Sequence, residues 1–181
     1  MTSLPTSLIS EKFLTCTNSQ TGIETVSKWV IFHRDSAETI VNVWTSQCKR
    51  IPRNKILIFF NIANDVIQND RKDAPVYRGF FFKAFRHLFR GGLILKCDEH
   101  TQQSIQRILK ILKDRHYFSH QQFDELKSAI EASVCNTSSL ICYLQQSRLC
   151  FFFYIYYRKL ILFHHLVHRH HQYQIILLIH L

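Results

Sequence analysis

Hydrophobic and polar positions recur along the first 133 residues with the three-to-four-residue spacing of amphipathic helices, and the pattern is densest between Lys55 and Asn69. There Ile56, Leu57, Ile58, Phe59, Phe60, Ile62, Ala63, Val66 and Ile67 make the segment apolar on most sides, which predicts a central helix packed between others. Asn61, Asn64, Asp65 and Gln68 fall at i, i+3, i+4 and i+7, so the polar groups share one narrow stripe. An unpartnered buried polar group costs about 1–3 kcal/mol. The stripe is therefore expected either to be satisfied inside the fold or to face a groove.

The same periodicity divides the flanking sequence. Leu4 to Leu14 predicts a short first helix with Leu8, Ile9, Phe13 and Leu14 roughly on one side. Asn18 or Ser19 can cap a second, reaching about Arg34 with Ile23, Val26, Trp29, Val30 and Phe32 apolar. Asp35 and Ser36 are the expected cap of a third helix through Ile40, Val41, Val43 and Trp44, ending at Lys49-Arg50. After Pro52 the central helix is expected from about Asn54 to Asp70. A fifth begins at Val76 and should kink or stop at Gly91-Gly92. Ile105, Ile108, Leu109 and Leu112 mark a sixth helix, with Arg107 and Ile111 off its apolar stripe. Ser119 and Gln122 form a capping box before a seventh, carrying Phe123, Leu126 and Ile130. Six or seven helices of about 10 to 17 residues on short loops predict an all-α fold, a coil of consecutive antiparallel helices.

Composition narrows this further. Four glycines and three prolines are too few turn formers for a barrel or sandwich of many short strands. The six cysteines include no C-x-x-C pair, which argues against a zinc ribbon or disulfide scaffold and for reduced intracellular thiols. No basic segment followed by an apolar one opens the chain, so no secretory signal is expected. A formal charge of +10 calls for an acidic partner or an anion-tolerant surface. No G-x-x-x-x-G-K-[ST], G-x-S-x-G or H-E-x-x-H occurs, and neither catalysis nor a cofactor is expected.

Composition changes after Ala132. From Ser133 to Leu181 there is no acidic residue, and six of the eleven histidines are concentrated there. The uncharged run from Leu149 to Tyr157 is broken by Arg158-Lys159, well short of the roughly 20 apolar residues of a membrane span, so no membrane partner is expected. His164, His165, His168, His170 and His171 lack the mixed ligands that would make a convincing metal site. Residues 1–133 are read as one domain, and 134–181 as an atypical hydrophobic, His-rich tail, disordered or poorly packed.

Three segments carry a resemblance: N-S-Q-T-G-I-E-T-V-S-K-W-V-I-F-H-R-D-S-A-E-T-I-V-N-V-W from Asn18 to Trp44, I-A-N-D-V-I-Q-N at 62–69, and D-E-H-T-Q-Q-S-I-Q-R-I-L-K-I-L-K-D-R at 98–115. Residues 3 to 131 closely resemble the CTD-interacting domain, or RPR domain, of the "regulation of nuclear pre-mRNA" proteins. The resemblance implies a right-handed superhelix of seven to eight helices, similar to VHS and ENTH domains. It implies a nuclear protein that binds the phosphorylated Tyr-Ser-Pro-Thr-Ser-Pro-Ser repeats of the RNA polymerase II C-terminal tail, in a groove formed by the family's second, fourth and seventh helices. By that resemblance Asp65 accepts a hydrogen bond from the peptide tyrosine, with Asn64 beside it. Asn18 and Asn69 line the groove, and Lys72 stands where an arginine is common. Arg107 faces the phosphate on the serine that follows the tyrosine, and Ile111 offers an apolar surface for a proline ring. Asn61 replaces a usual tyrosine and Leu112 a usual tryptophan.

Elementary chemistry agrees on Arg107, because a guanidinium donates two charge-assisted hydrogen bonds to one phosphate. Two other readings compete. Direct RNA binding would use Arg78, Lys83, Arg86 and Arg90 with Phe80 to Phe82, cations interleaved with aromatics. Alternatively the chain is a truncated isoform with an inactive groove. Residues 134–181 show no sustained heptad, so a monomer is expected.

Overall fold

The structure, a computed structural model, describes residues 4–136; the tail lies outside the described residues. Among these residues there are seven α-helices and no strand. They are α1 (Thr6–Leu14), α2 (Gln20–Phe32), α3 (Ala37–Arg50), α4 (Ile56–Asn69), α5 (Tyr77–Arg90), α6 (Glu99–Asp114) and α7 (His120–Asn136). Single 3-10 turns at Arg34–Ser36, Arg53–Lys55 and Ile94–Lys96 precede α3, α4 and α6. Residues through Val134 belong to one compact unit.

Several local expectations need correction. Pro5 sets the start of α1 just beyond Leu4, and only Ile9 and Phe13 are buried there, while Leu8 and Leu14 are exposed. Helix α2 ends at Phe32, because His33 and the 3-10 turn absorb Arg34 to Ser36; neither Asp35 nor Ser36 caps α3 through its side chain. The extra turn at Arg53–Lys55 likewise delays α4. As expected, helix α5 stops at Gly91, and Gly92 takes a φ of +70°, the left-handed conformation glycine adopts without strain.

Of the two candidate caps of α2, Ser19 holds the position: its hydroxyl accepts from the Gly22 amide at 3.1 Å. A Cβ on Gly22 would lie 2.3 Å from Thr17 Oγ1 and 2.9 Å from the Thr17 carbonyl oxygen, so only glycine fits under this turn. Ser19→Ala should lower stability by about 1 kcal/mol, the usual value of a lost cap, read as a lower urea midpoint at constant slope. At α7 the capping box forms as expected, with Ser119 Oγ accepting from Gln122 N at 3.1 Å and Gln122 Oε1 accepting from Ser119 N at 3.0 Å.

Helices pack against their second neighbours, α1 on α3 on α5 and α2 on α4 on α6. This i, i+2 order produces two rows wound as a superhelix. Helix α7 continues the odd row: Phe118 at its entrance meets Phe82 and Phe85 of α5, and Arg86 bonds Glu125 at 3.0 Å. Between the rows sits an aromatic core. Trp44 of α3 meets Phe59 and Phe60 of α4 and Phe81 and Phe85 of α5, and Phe60 stacks on Phe85 and Phe89.

Candidate functional site

Helix α4 is the middle of the even row, and its buried residues face α5 and its two flanking helices. Asn61, Asn64, Asp65 and Gln68 are all half-buried, on the side of α4 left open between α2 and α6. The polar stripe is thus the floor of a candidate groove. It is also internally ordered: Gln68 Nε2 donates to Asn64 Oδ1 at 2.8 Å, and Asn69 Nδ2 donates to the Asp65 carbonyl at 2.9 Å and carboxylate at 3.0 Å.

The walls run parallel to the floor. At the C-terminal end, Arg115 after α6 donates to the Gln68 side chain, and the Tyr117 hydroxyl donates to the Gln68 carbonyl at 3.1 Å. Arg34 after α2 donates to the Ala74 carbonyl at 2.7 Å, and Tyr77 OH donates to the Val30 carbonyl. The ends of α2, α4 and α6 therefore adjoin, and helices packed side by side with like ends together are parallel. Burial pushes the Tyr77 hydroxyl well above the ordinary tyrosine range, so it remains a donor.

Arg107, Ile111 and Arg115 follow at four-residue intervals on one flank of α6, the flank that Arg115 turns toward α4. Taking Arg115 level with Gln68, Ile111 comes level with Asn64 and Arg107 with Phe60 and Asn61. Ile111 is half-buried. Arg107 is exposed and makes no hydrogen bond or ion pair among the described residues. Asp98 caps α6 by accepting from Thr101 N at 2.9 Å, a bond that also holds its carboxyl below the usual range.

Asn18 is exposed, just before the Ser19 cap at the N-terminal end of α2. Asn69 is exposed at the opposite end of the floor, separated from the level of Asn18 by the 14 residues of α4, or roughly 20 Å at 1.5 Å per residue. Lys72 is exposed in the loop beyond, where the neighbouring Arg71 pairs with Asp73 at 2.9 Å. Asn64, Asp65, Arg107 and Ile111 thus stand at neighbouring levels of α4 and α6 along one candidate groove, with Asn18 toward one end and Asn69 and Lys72 toward the other.

Periodicity left three contributors unremarked. Arg115 lies two turns beyond Arg107, which the spacing could have shown, whereas Tyr117 reaches Gln68 through tertiary packing alone. Asp70 is buried and accepts from Arg71 N, Val76 N and Tyr77 N at 2.7–2.9 Å, fixing the loop after α4. Among the described residues no group of three or more metal-ligating side chains occurs.

Residues 7–126 match the CID domain. The chain belongs to the CID domain family. Members of this family are protein-interaction modules. This CID domain is 32% identical over 137 residues to "Regulation of nuclear pre-mRNA domain-containing protein 1B" of Homo sapiens, a match covering 74% of this chain and 40% of the relative. It is 30% identical over 119 residues to "CID domain-containing protein 1" of Caenorhabditis elegans, covering 65% and 38%. The chain thus spans about two fifths of the length of these curated relatives. In fold it is similar to the crystal structure of the RPR of Pcf11, with a TM-score of 0.59 over 68% of this chain and 96% of that one, at 15% identity.

The CID domain also decides among the cations of the α5 region. Phe81 is buried, and Phe82 packs on Phe118, so these rings belong to the core. Arg78 stacks over Tyr117 at 5.2 Å and Arg86 is paired with Glu125. Of the expected RNA patch, Arg78, Arg86, Phe81 and Phe82 are engaged within the fold, while Lys83 and Arg90 are exposed and Phe80 half-buried.

Proposed function

We propose that this CID domain reads the phosphorylated heptad-repeat C-terminal tail of RNA polymerase II in the nucleus, as a monomeric binding module that links transcription to pre-mRNA processing or tail dephosphorylation. One observation carries the proposal: an exposed, unpaired Arg107 stands on the wall of a groove whose floor holds the hydrogen-bonding groups of Asn64 and Asp65. A floor about 20 Å long takes six to seven extended residues at roughly 3.3 Å each, close to one heptad. Asp65 is suited to accept from a tyrosine hydroxyl, Ile111 to support a proline ring, and Arg107 to grip a phosphate through two parallel hydrogen bonds. Asn18, Asn69 and Lys72 hold the emerging peptide at the two ends. The relatives named for regulation of nuclear pre-mRNA support the same setting.

Fluorescence anisotropy tests it. A two-repeat heptad peptide phosphorylated on the serines after the tyrosines should bind the full chain at least tenfold more tightly than its unphosphorylated counterpart. Equal affinities would exclude a phosphate reader.

A further inference from the structure

The candidate groove lies on the even row, whereas positive charge gathers on α3 and α5 of the odd one. No acidic residue occurs between Glu38 and Asp65 or between Asp73 and Asp98, stretches that include most of α3 and all of α5. On α5, Lys83, His87 and Arg90 are exposed and stand at i, i+4 and i+7. Phe85 and Phe89 stack on Phe60 of α4, so this opposite stripe of α5 points away from the groove. Lys49 and Arg50 are exposed at the end of α3, and Lys49 Nζ donates to His87 Nε2 at 2.7 Å. That contact joins the two helices' cations into one band. Arg53 extends it, donating to the Cys48 and Lys49 carbonyls at 3.1 and 3.3 Å.

Lys28, Arg71 and Arg86 each have an acidic partner. Lys49, Arg50, Lys83 and Arg90 form no ion pair among the described residues. Asp124 and Glu125 of α7 line a cavity with Arg90 and bound the band on that side. Grouping exposed like charges costs Coulomb energy that no core packing requires, and a polyanion laid along them recovers it. The band also carries an aromatic: Phe80, half-buried, stands one turn before Lys83 on the same side of α5. Cations in line with a partly exposed ring suit single-stranded nucleic acid, whose phosphates pair with the cations and whose bases stack on the ring. A lipid surface would use the charge but not a single recessed ring.

We propose that the α3–α5 band is a binding surface for single-stranded RNA, separate from the α2–α4–α6 groove; the choice of RNA over DNA rests on the proposed function. The test is anisotropy of a labelled mixed-sequence 12-nucleotide RNA titrated with the full chain between 50 and 200 mM salt. Wild type should bind, more weakly as salt rises. A Lys49→Glu/Lys83→Glu/Arg90→Glu variant should bind at least tenfold more weakly, with a salt slope smaller by about 2, as three lost phosphate contacts on a single strand require. Lys28→Glu, on the even row, should leave RNA affinity unchanged. Circular dichroism and wild-type affinity of the triple variant for the phosphopeptide would keep failure of this surface distinct from failure of the groove. Should the triple variant not fold, Lys83→Gln and Arg90→Gln must each reduce the slope by about 0.7. The proposal is overturned by absence of RNA binding, by unchanged affinity and slope in these variants, by an equal loss in Lys28→Glu, by equal or tighter binding of the same sequence as DNA, or by band-dependent binding to phosphatidylserine vesicles without RNA binding.

Discussion

Trp44→Ala should destabilise the CID domain by about 3–5 kcal/mol, a large part of the roughly 5–15 kcal/mol that holds a domain of this size together. Trp44 is fully buried where α3, α4 and α5 meet, its ring against Phe59, Phe60, Phe81 and Phe85, and its indole N–H donates to the Phe59 carbonyl at 3.0 Å. Alanine leaves a cavity between the two rows and removes the indole's bond to the Phe59 carbonyl, which keeps only its bond within α4; neither row can close the gap without moving α4. Trp44→Phe keeps much of the volume and loses the donor, so its cost should be smaller, about 1–3 kcal/mol. Urea denaturation followed by circular dichroism separates the two as different midpoints. Equal, small losses would mean that the rows are held together elsewhere.

Arg107→Ala should act on binding and leave stability alone, because the side chain is exposed and touches nothing that the fold needs. A hydrogen bond to a charged group is worth about 1.5–3 kcal/mol, so loss of the guanidinium should weaken the phosphorylated heptad peptide roughly 10- to 100-fold. Affinity for the unphosphorylated peptide should hardly change, which collapses the ratio between the two. Arg107→Lys keeps the charge without the planar fork and should recover only part of the preference. If Arg107→Ala weakened both peptides equally, Arg107 would shape the groove without reading phosphate, and Arg115, two turns along the same flank, would become the alternative.

The fold was legible because its elements are periodic. Ile105, Ile108, Leu109 and Leu112 are all buried as their spacing requires, and the Ser119–Gln122 box closes as its residue types prescribe. The polar stripe of α4 was equally readable, since 3.6-residue geometry places Asn61, Asn64, Asp65 and Gln68 together whatever surrounds them. Periodicity says nothing of how helices lie against one another. That Gln68 meets Arg115 and Tyr117 follows only from α4 and α6 being parallel and ending together. The arginines near α5 show the same limit: Arg78 and Arg86 look like Lys83 and Arg90 in sequence, yet Tyr117 and Glu125 occupy the first two. Caps failed where a 3-10 turn intervened: Asp35 lies within the turn Arg34–Ser36, and Ser36 holds the N-cap position of α3 without a side-chain bond.

The central claim, that the peptide lies between α2 and α6 over the floor of α4, is tested most directly by an NMR titration of the 15N-labelled full chain with the phosphorylated two-repeat peptide. The expected result is that the largest shifts fall on Asn64, Asp65, Arg107 and Ile111, with smaller ones at Asn18, Asn69 and Lys72, while Lys83, His87 and Arg90 stay in place. Shifts concentrated on α3 and α5, or none along α4 at saturating peptide, would contradict it.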